Sequence, residues 1–167
     1  MTSPAIESES VTDPSERQLL DDFLLRYAHT LDDEDVEAWP SFFHEQGLYQ
    51  ITTRANHEAG RPLGIMLCDS RGMMADRMLA LRTANVFEPH THCHMLSPAA
   101  YTRVSGTQVN ARSNFTVIRT MQDGRSELFA VGKYIDEISV ANDRPQFLSR
   151  RVVLESSRVD ILIVFPI

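Results

Sequence analysis

Histidine recurs at every second position in the stretch His90-Thr91-His92-Cys93-His94. On an extended strand alternate residues face the same way, so all three imidazoles would share one face. Imidazole is a common metal ligand. Alternate strand residues lie roughly 7 Å apart, however. Two of the three could share an ion while the third would need a distorted backbone, and the sequence fixes no carboxylate beside them. A row at a surface or interface is the simpler reading. A second set mixes hydroxyl, carboxylate and imidazole: Tyr27 and Asp32, with His94, Tyr134 and Asp136. Gathered at the mouth of an apolar pocket, such groups would exchange protons with a substrate as general acid and base. The competing reading makes Tyr27 helix core and Asp32 the end of that helix, and it is favoured.

Other chemistries lack their motifs. Asp32-Asp33-Glu34-Asp35 is a run of four carboxylates without the glycine and spaced bidentate glutamate of a calcium loop. There is no Gly-x-Ser-x-Gly, no phosphate-cradling glycine loop and no paired-cysteine cluster. Cys68 and Cys93 form neither a disulfide framework nor a metal spacing. A net charge of -7 argues against nucleic acid, which demands a cationic face, and against anionic membrane surfaces. No apolar run approaches the roughly 20 residues of a membrane span. Met1 to Val11 lacks the basic and apolar regions of a signal peptide, so the cytoplasm is the expected location.

With Lys133 as the only lysine, arginine is the cation, at Arg54, Arg77, Arg103, Arg112, Arg119, Arg150 and Arg151. Arginine forks suit ion pairs across protein–protein contacts; about half of them are expected to be ordinary exposed charge. Met66, Met73, Met74 and Met78 read mainly as adaptable core filler.

The elements that would position these residues fall into two halves. Residues 1–12 are Ser/Glu-rich and read as a mobile tail, leaving 13–167 as one domain. Asp13-Pro14-Ser15-Glu16 predicts a helix start, with Asp13 as cap, Pro14 in the first turn and Glu16 closing a capping box. Leu19, Leu20, Phe23, Leu24, Tyr27 and Leu31 continue it along one apolar face. The acidic run 32–35 predicts the start of a second, shorter helix, buried through Val36, Trp39, Phe42 and Phe43 and kinked or divided at Pro40. A strand over 48–54, a loop over 56–64 and a third helix capped by Asp69 or Ser70 follow, and the pattern breaks at 85–90. Strands are then predicted over 92–104, 109–121, 127–138 and 147–155, with turns near Gly106, Asp123-Gly124 and Asn142-Asp143-Arg144-Pro145. A last apolar segment covers 160–167. Helices first and hairpin-linked strands after predict an α+β fold, with N-terminal helices packed on a curved antiparallel sheet to form a cone.

Phe23-Leu24-Leu25-Arg26-Tyr27-Ala28 with Leu31-Asp32, Trp39-Pro40-Ser41-Phe42-Phe43, Tyr49 and Thr52-Thr53-Arg54 together resemble the small (beta) subunit of Rieske-type aromatic-ring-hydroxylating oxygenases. The likeness continues through Arg77, Ser113-Asn114-Phe115, Arg119, Gly132-Lys133-Tyr134-Ile135-Asp136 and Val153-Leu154-Glu155. Residues 53–64 and 162–167 are most similar to small subunits acting on benzoate-like acids, salicylate 5-hydroxylase first, then terephthalate and anthranilate dioxygenases. The resemblance implies a cone-shaped, cystatin-like fold of the nuclear-transport-factor or SnoaL kind. It implies a subunit without cofactor or catalytic residues of its own, assembled with copies of itself and with large (alpha) subunits as α3β3. The large subunit would carry the [2Fe-2S] Rieske cluster and a mononuclear Fe(II), fed from NAD(P)H through a reductase, often with a ferredoxin.

The residues agree: a Rieske centre needs two Cys-His pairs and a mononuclear iron two histidines and a carboxylate, and neither set has convincing spacing here. Arg54, Arg77, His92, His94, Arg103 and Arg119 are the expected interface residues. The sequence departs from the family at His92-Cys93-His94-Met95-Leu96-Ser97-Pro98, where Pro98 predicts a bulge or an edge. Two rivals stand beside this reading. One is a self-sufficient cyclase, dehydratase or isomerase of the same cone fold using Tyr27, Asp32 and His94; the other is a ligand-binding module with the same pocket.

Overall fold

The computed structural model describes residues 9–62, 64–84, 88–156 and 165–167. Most of the predicted tail (1–8), the break after the third helix (85–87) and most of the last apolar segment (157–164) lie outside the described residues.

Order begins earlier than Asp13. A two-residue strand β1 (Glu9–Ser10) pairs with β5 (Ala100–Ser105), and Val11 is buried, its N–H donating to the Tyr101 carbonyl at 3.2 Å. A single valine in a polar stretch gave no signal of this. Helix α1 (Pro14–Asp32) starts as predicted: Asp13 caps it by accepting from the Ser15 N–H. Glu16 does not close a capping box; its carboxylate pairs with Arg103 on β5 instead. Leu20, Phe23, Leu24, Tyr27, Ala28 and Leu31 form the buried face.

The second helix is not formed as predicted. Asp32 ends α1, and 33–38 is a turn in which Glu34 takes a positive φ of 59°. Only a short 3-10 segment, Trp39–Phe42, follows. Pro40 and the return of the chain into strand β2 (Phe43–Thr53) leave no room for an α-helical turn. The acidic run therefore sits at a helix C-terminus, where the dipole disfavours it. Specific partners compensate: Asp32 is bound by His94, and Arg82 bonds the Glu37 carboxylate at 2.8 Å and the Glu34 carbonyl at 2.9 Å.

The predicted loop at 56–64 begins with a one-turn helix α2 (Arg54–Glu58), capped by Thr53. A short strand β3 (Met66–Cys68) precedes α3 (Arg71–Ala84), whose start Ser70 caps through the Met73 N–H. The strand predicted over 92–104 is two: β4 (His90–Leu96) and β5, both antiparallel to β6 (Gln108–Met121). The break falls at Ser97-Pro98-Ala99, where Pro98 has no N–H for a ladder. There the Ser97 hydroxyl accepts from the Asn114 N–H at 2.9 Å. Among the described residues, strands β7 (Ser126–Ser139) and β8 (Gln146–Leu154) complete an eight-stranded sheet in the order β1-β5-β6-β7-β8-β2-β3, with β4 beside β5 along β6.

The sheet is mixed rather than purely antiparallel, because β2 runs parallel to β8. The helical first half and the hairpin-linked second half meet at that pair. On β6 every odd residue from Val109 to Met121 is buried, as the alternation predicted. One core cluster joins α1, the 3-10 segment and the inner sheet face, so the sheet curls around α1.

Candidate functional site

The interior of the cone is built around Arg150, only 1% exposed. Its Nε and a terminal nitrogen donate to the two Asp136 oxygens at 2.9 and 2.8 Å. The guanidinium carbon lies 4.1 Å from the Tyr27 ring centre, 4.0 Å from Tyr134 and 4.2 Å from Phe147. Strict alternation counted from Phe147 would turn Arg150 outward. A register shift at Leu148 reverses the alternation and brings Arg150 opposite Asp136. Burial raises the Asp136 pKa while the guanidinium opposes that rise. Burial also disfavours charge on Arg150, but Asp136 outweighs it and holds its pKa above the ordinary value. A guanidinium does not release its proton, and the contact is bidentate, so the pair stays ionised.

Above this pair, the Trp39 indole donates to the Tyr27 hydroxyl at 3.1 Å. Tyr27 and Tyr49 both donate to the Ile167 carbonyl, at 3.3 and 3.0 Å, and Tyr49 also accepts from the Ile167 N–H at 2.8 Å. Ile167 is itself buried. Burial raises the pKa of both tyrosines, so neither is a ready proton donor or base. Both hydroxyls are thus engaged by the chain's own backbone at Ile167.

The three histidines share one face, as alternation required, but it is the inner face of β4. Asp32 clamps His94 there. The His94 backbone N–H donates to both Asp32 oxygens, at 3.1 and 2.9 Å, and ring Nδ1 lies 2.5 Å from Oδ1. The carboxylate can only accept, so Nδ1 carries the hydrogen. The His94 side chain is 1% exposed, and its Nε2 has no hydrogen-bond partner. His92 stacks on Phe129 at 5.0 Å, and its Nε2 is likewise unpartnered. Burial, then the neighbouring His90 and His94, lowers the His92 pKa to about 4, so it is neutral at pH 7. His90 is fixed by its Nδ1, 2.7 Å from the Glu88 carbonyl. Phe129 reaches this cluster because a β-bulge in β7 turns it inward, where it also receives Arg119 at 4.7 Å. Among the described residues, no three His, Cys, Asp or Glu side chains converge as a metal site.

Of the residues proposed for proton transfer, Asp32 and His94 are brought together; Tyr27 is tied to Trp39 and Ile167, and Asp136 to Arg150. Of the expected interface residues, Arg54 is 54% exposed on its side chain and pairs with Glu58 and Glu155. Arg77 is half-buried on α3, and Arg103 is held by Glu16. Arg119 pairs with Glu127, while His92 and His94 face inward. Sequence reasoning missed Arg150 and Ile167 as the centre of the interior, because the bulge at Leu148 and a contact 118 residues long, from Tyr49 to Ile167, leave no local trace.

A long helix held in a curled mixed sheet, with a bidentate ion pair at the centre of its interior, defines a cone-shaped α+β protein of the nuclear-transport-factor-like class. Solved chains only 15–18% identical share this fold at a TM-score of 0.65. Within that class the chain belongs to the family of ring-hydroxylating beta subunits, whose model matches residues 26–160. It is 35% identical to the anthranilate 1,2-dioxygenase small subunit of Burkholderia cepacia, over 85% of this chain and 88% of that one. It is also 35% identical to the beta 2 subunit of the terephthalate 1,2-dioxygenase terminal oxygenase component of a Comamonas species, over 87% and 94%. A solved chain from Novosphingobium aromaticivorans, described as the beta subunit of a candidate aromatic-ring-hydroxylating dioxygenase, superposes with a TM-score of 0.84 at 36% identity, covering 92% of this chain and 97% of that one.

Proposed function

We propose that this chain supports the terminal oxygenase of a multicomponent aromatic-ring hydroxylase, holding large subunits in register and performing no chemistry alone. One observation carries the reading: of the groups that could act on a substrate inside the cone, Tyr27 is bound to Trp39 and Ile167, Asp136 to Arg150 and Asp32 to His94. The assembly would be α3β3, with the Rieske cluster and Fe(II) on the large subunits and electrons from NAD(P)H through a reductase, in the cytoplasm. The substrate class would be an aromatic carboxylic acid, since the two relatives are named for anthranilate and terephthalate. Salicylate belongs to the same class, and its hydroxylation would insert one oxygen atom rather than two. Arg54, with Arg77 and Arg103, would contribute charge to subunit contacts, whereas His92, His94 and Arg119 would act by holding the shape of the mouth.

The test is expression with and without the large subunit. The expected result is a complex of equal stoichiometry that carries iron and hydroxylates one of anthranilate, terephthalate, benzoate or salicylate, beside a colourless, inactive small chain. Turnover by the small chain alone, or its failure to co-purify with any large subunit, would overturn the proposal.

A further inference from the structure

Arg26 and Arg144 are both exposed, and neither has a carboxylate partner among the described residues. Arg17, Arg61, Arg77, Arg112 and Arg125 likewise lack a carboxylate partner among the described residues, whereas Arg54, Arg71, Arg82, Arg103, Arg119, Arg150 and Arg151 each have one; what sets Arg26 and Arg144 apart is their shared place. Arg26 and Arg144 together line one cleft of about 720 Å³ between α1, the 3-10 segment and the β7–β8 turn. Leu19, Phe23, Phe42 and Pro145 give it apolar lining. Its far wall is a turn in which Asn142 and Asp143 both hold positive φ, at 56° and 54°. Asn and Asp are the side chains that best tolerate that conformation.

We propose that this cleft docks an acidic, apolar-anchored segment of the large subunit; the inference rests on the assembly role proposed above. The volume lies within the ~300–1,000 Å³ of ordinary ligand sites. A small acid, however, would need donors fixed at depth, and here both guanidiniums stand exposed. Apolar lining with exposed arginine forks matches the core and rim of a protein interface. Charge decides the occupant: the cleft offers two unneutralised cations and a single lining carboxylate, Asp143.

The experiment is co-purification of R26E/R144E and R26K/R144K with the large subunit that wild type retains. Circular dichroism and melting of each variant verify folding. R26E/R144E is expected to fold normally and to lose retention at least tenfold. R26K/R144K should keep retention in low salt and lose it in moderate salt more readily than wild type. Wild-type retention by a correctly folded R26E/R144E overturns the docking site, as does a loss confined to self-association or to benzoate binding. Absence of a complex with wild type itself would overturn the assembly role instead.

Discussion

The Arg150 interior of this cone and its histidine-lined mouth, the inner face of β4 with Asp32, use similar polar side chains and treat them in opposite ways. In the interior, Arg150, Asp136, Tyr27, Tyr49 and Trp39 each have a partner of the right polarity. The hydroxyls of Tyr134, Ser113 and Ser149 have none; the Tyr134 ring serves as a wall for the guanidinium. At the mouth, the Nε2 atoms of His92 and His94 are buried and unpartnered. A proton-transfer site needs a base that substrate can reach, and the one dyad with suitable geometry, Asp32–His94, is shut in. The interior thus reads as structure made from polar parts. The mouth reads as aromatic packing built on imidazoles, with burial keeping His92 neutral.

The largest effect should come from breaking the interior pair. Asp136→Ala leaves a guanidinium buried without its counter-charge and should cost about 3–5 kcal/mol of stability in denaturant unfolding. The double change Asp136→Leu with Arg150→Met should recover most of it, because an apolar pair of similar volume escapes the desolvation penalty. A single-variant loss under about 1 kcal/mol would mean that the pair is wet, against the full burial of both groups. Next comes the close packing behind it. A methyl at Gly132 would lie 2.3 Å from the Val153 carbonyl oxygen and 2.9 Å from the Phe115 ring. Gly132→Ala is therefore expected to destabilise by about 1–3 kcal/mol, read in the same unfolding assay.

Why these features differ in legibility follows from their range. The face of α1 and the alternation of β6 are written in local periodicity, so both were predictable, save that Leu19 is only half-buried and Ala28 joins the buried face. Pro98 was legible as a bulge or an edge, but not as the break that divides the strand in two. The acidic run 32–35 misled because a helix start and a helix end look alike when tertiary partners supply the compensation. The parallel β2–β8 pair joins strands about 100 residues apart and left no pattern. In the candidate site, alternation put the histidines on one face, but nothing local says whether that face looks in or out. Arg150 was hidden by a single bulged residue, since one such residue reverses every side chain beyond it.

At the mouth, Asp32→Ala removes the acceptor for three contacts with His94. It should cost about 1–3 kcal/mol, the desolvation left uncompensated on the donors, while the assembled oxygenase keeps its turnover. Lost turnover in a stable complex would instead make the mouth a place of chemistry and erase the contrast with the interior.

The smallest effect near neutrality concerns His92. Its folded pKa, about 4, lies below the ordinary value of 6.5, chiefly because it is buried. Between these values the unfolded chain binds more protons than the folded one, so stability rises with pH across that window. His92 should therefore cost nothing above about pH 7, begin to weaken the fold as pH falls through 6.5, and reach its full penalty by about pH 4. His92→Phe keeps the stacking on Phe129 and removes the proton. Its unfolding free energy should fall less steeply than wild type's between pH 6.5 and 4. Equal slopes would mean that water reaches the wild-type imidazole. The mouth would then be an open polar site rather than packing.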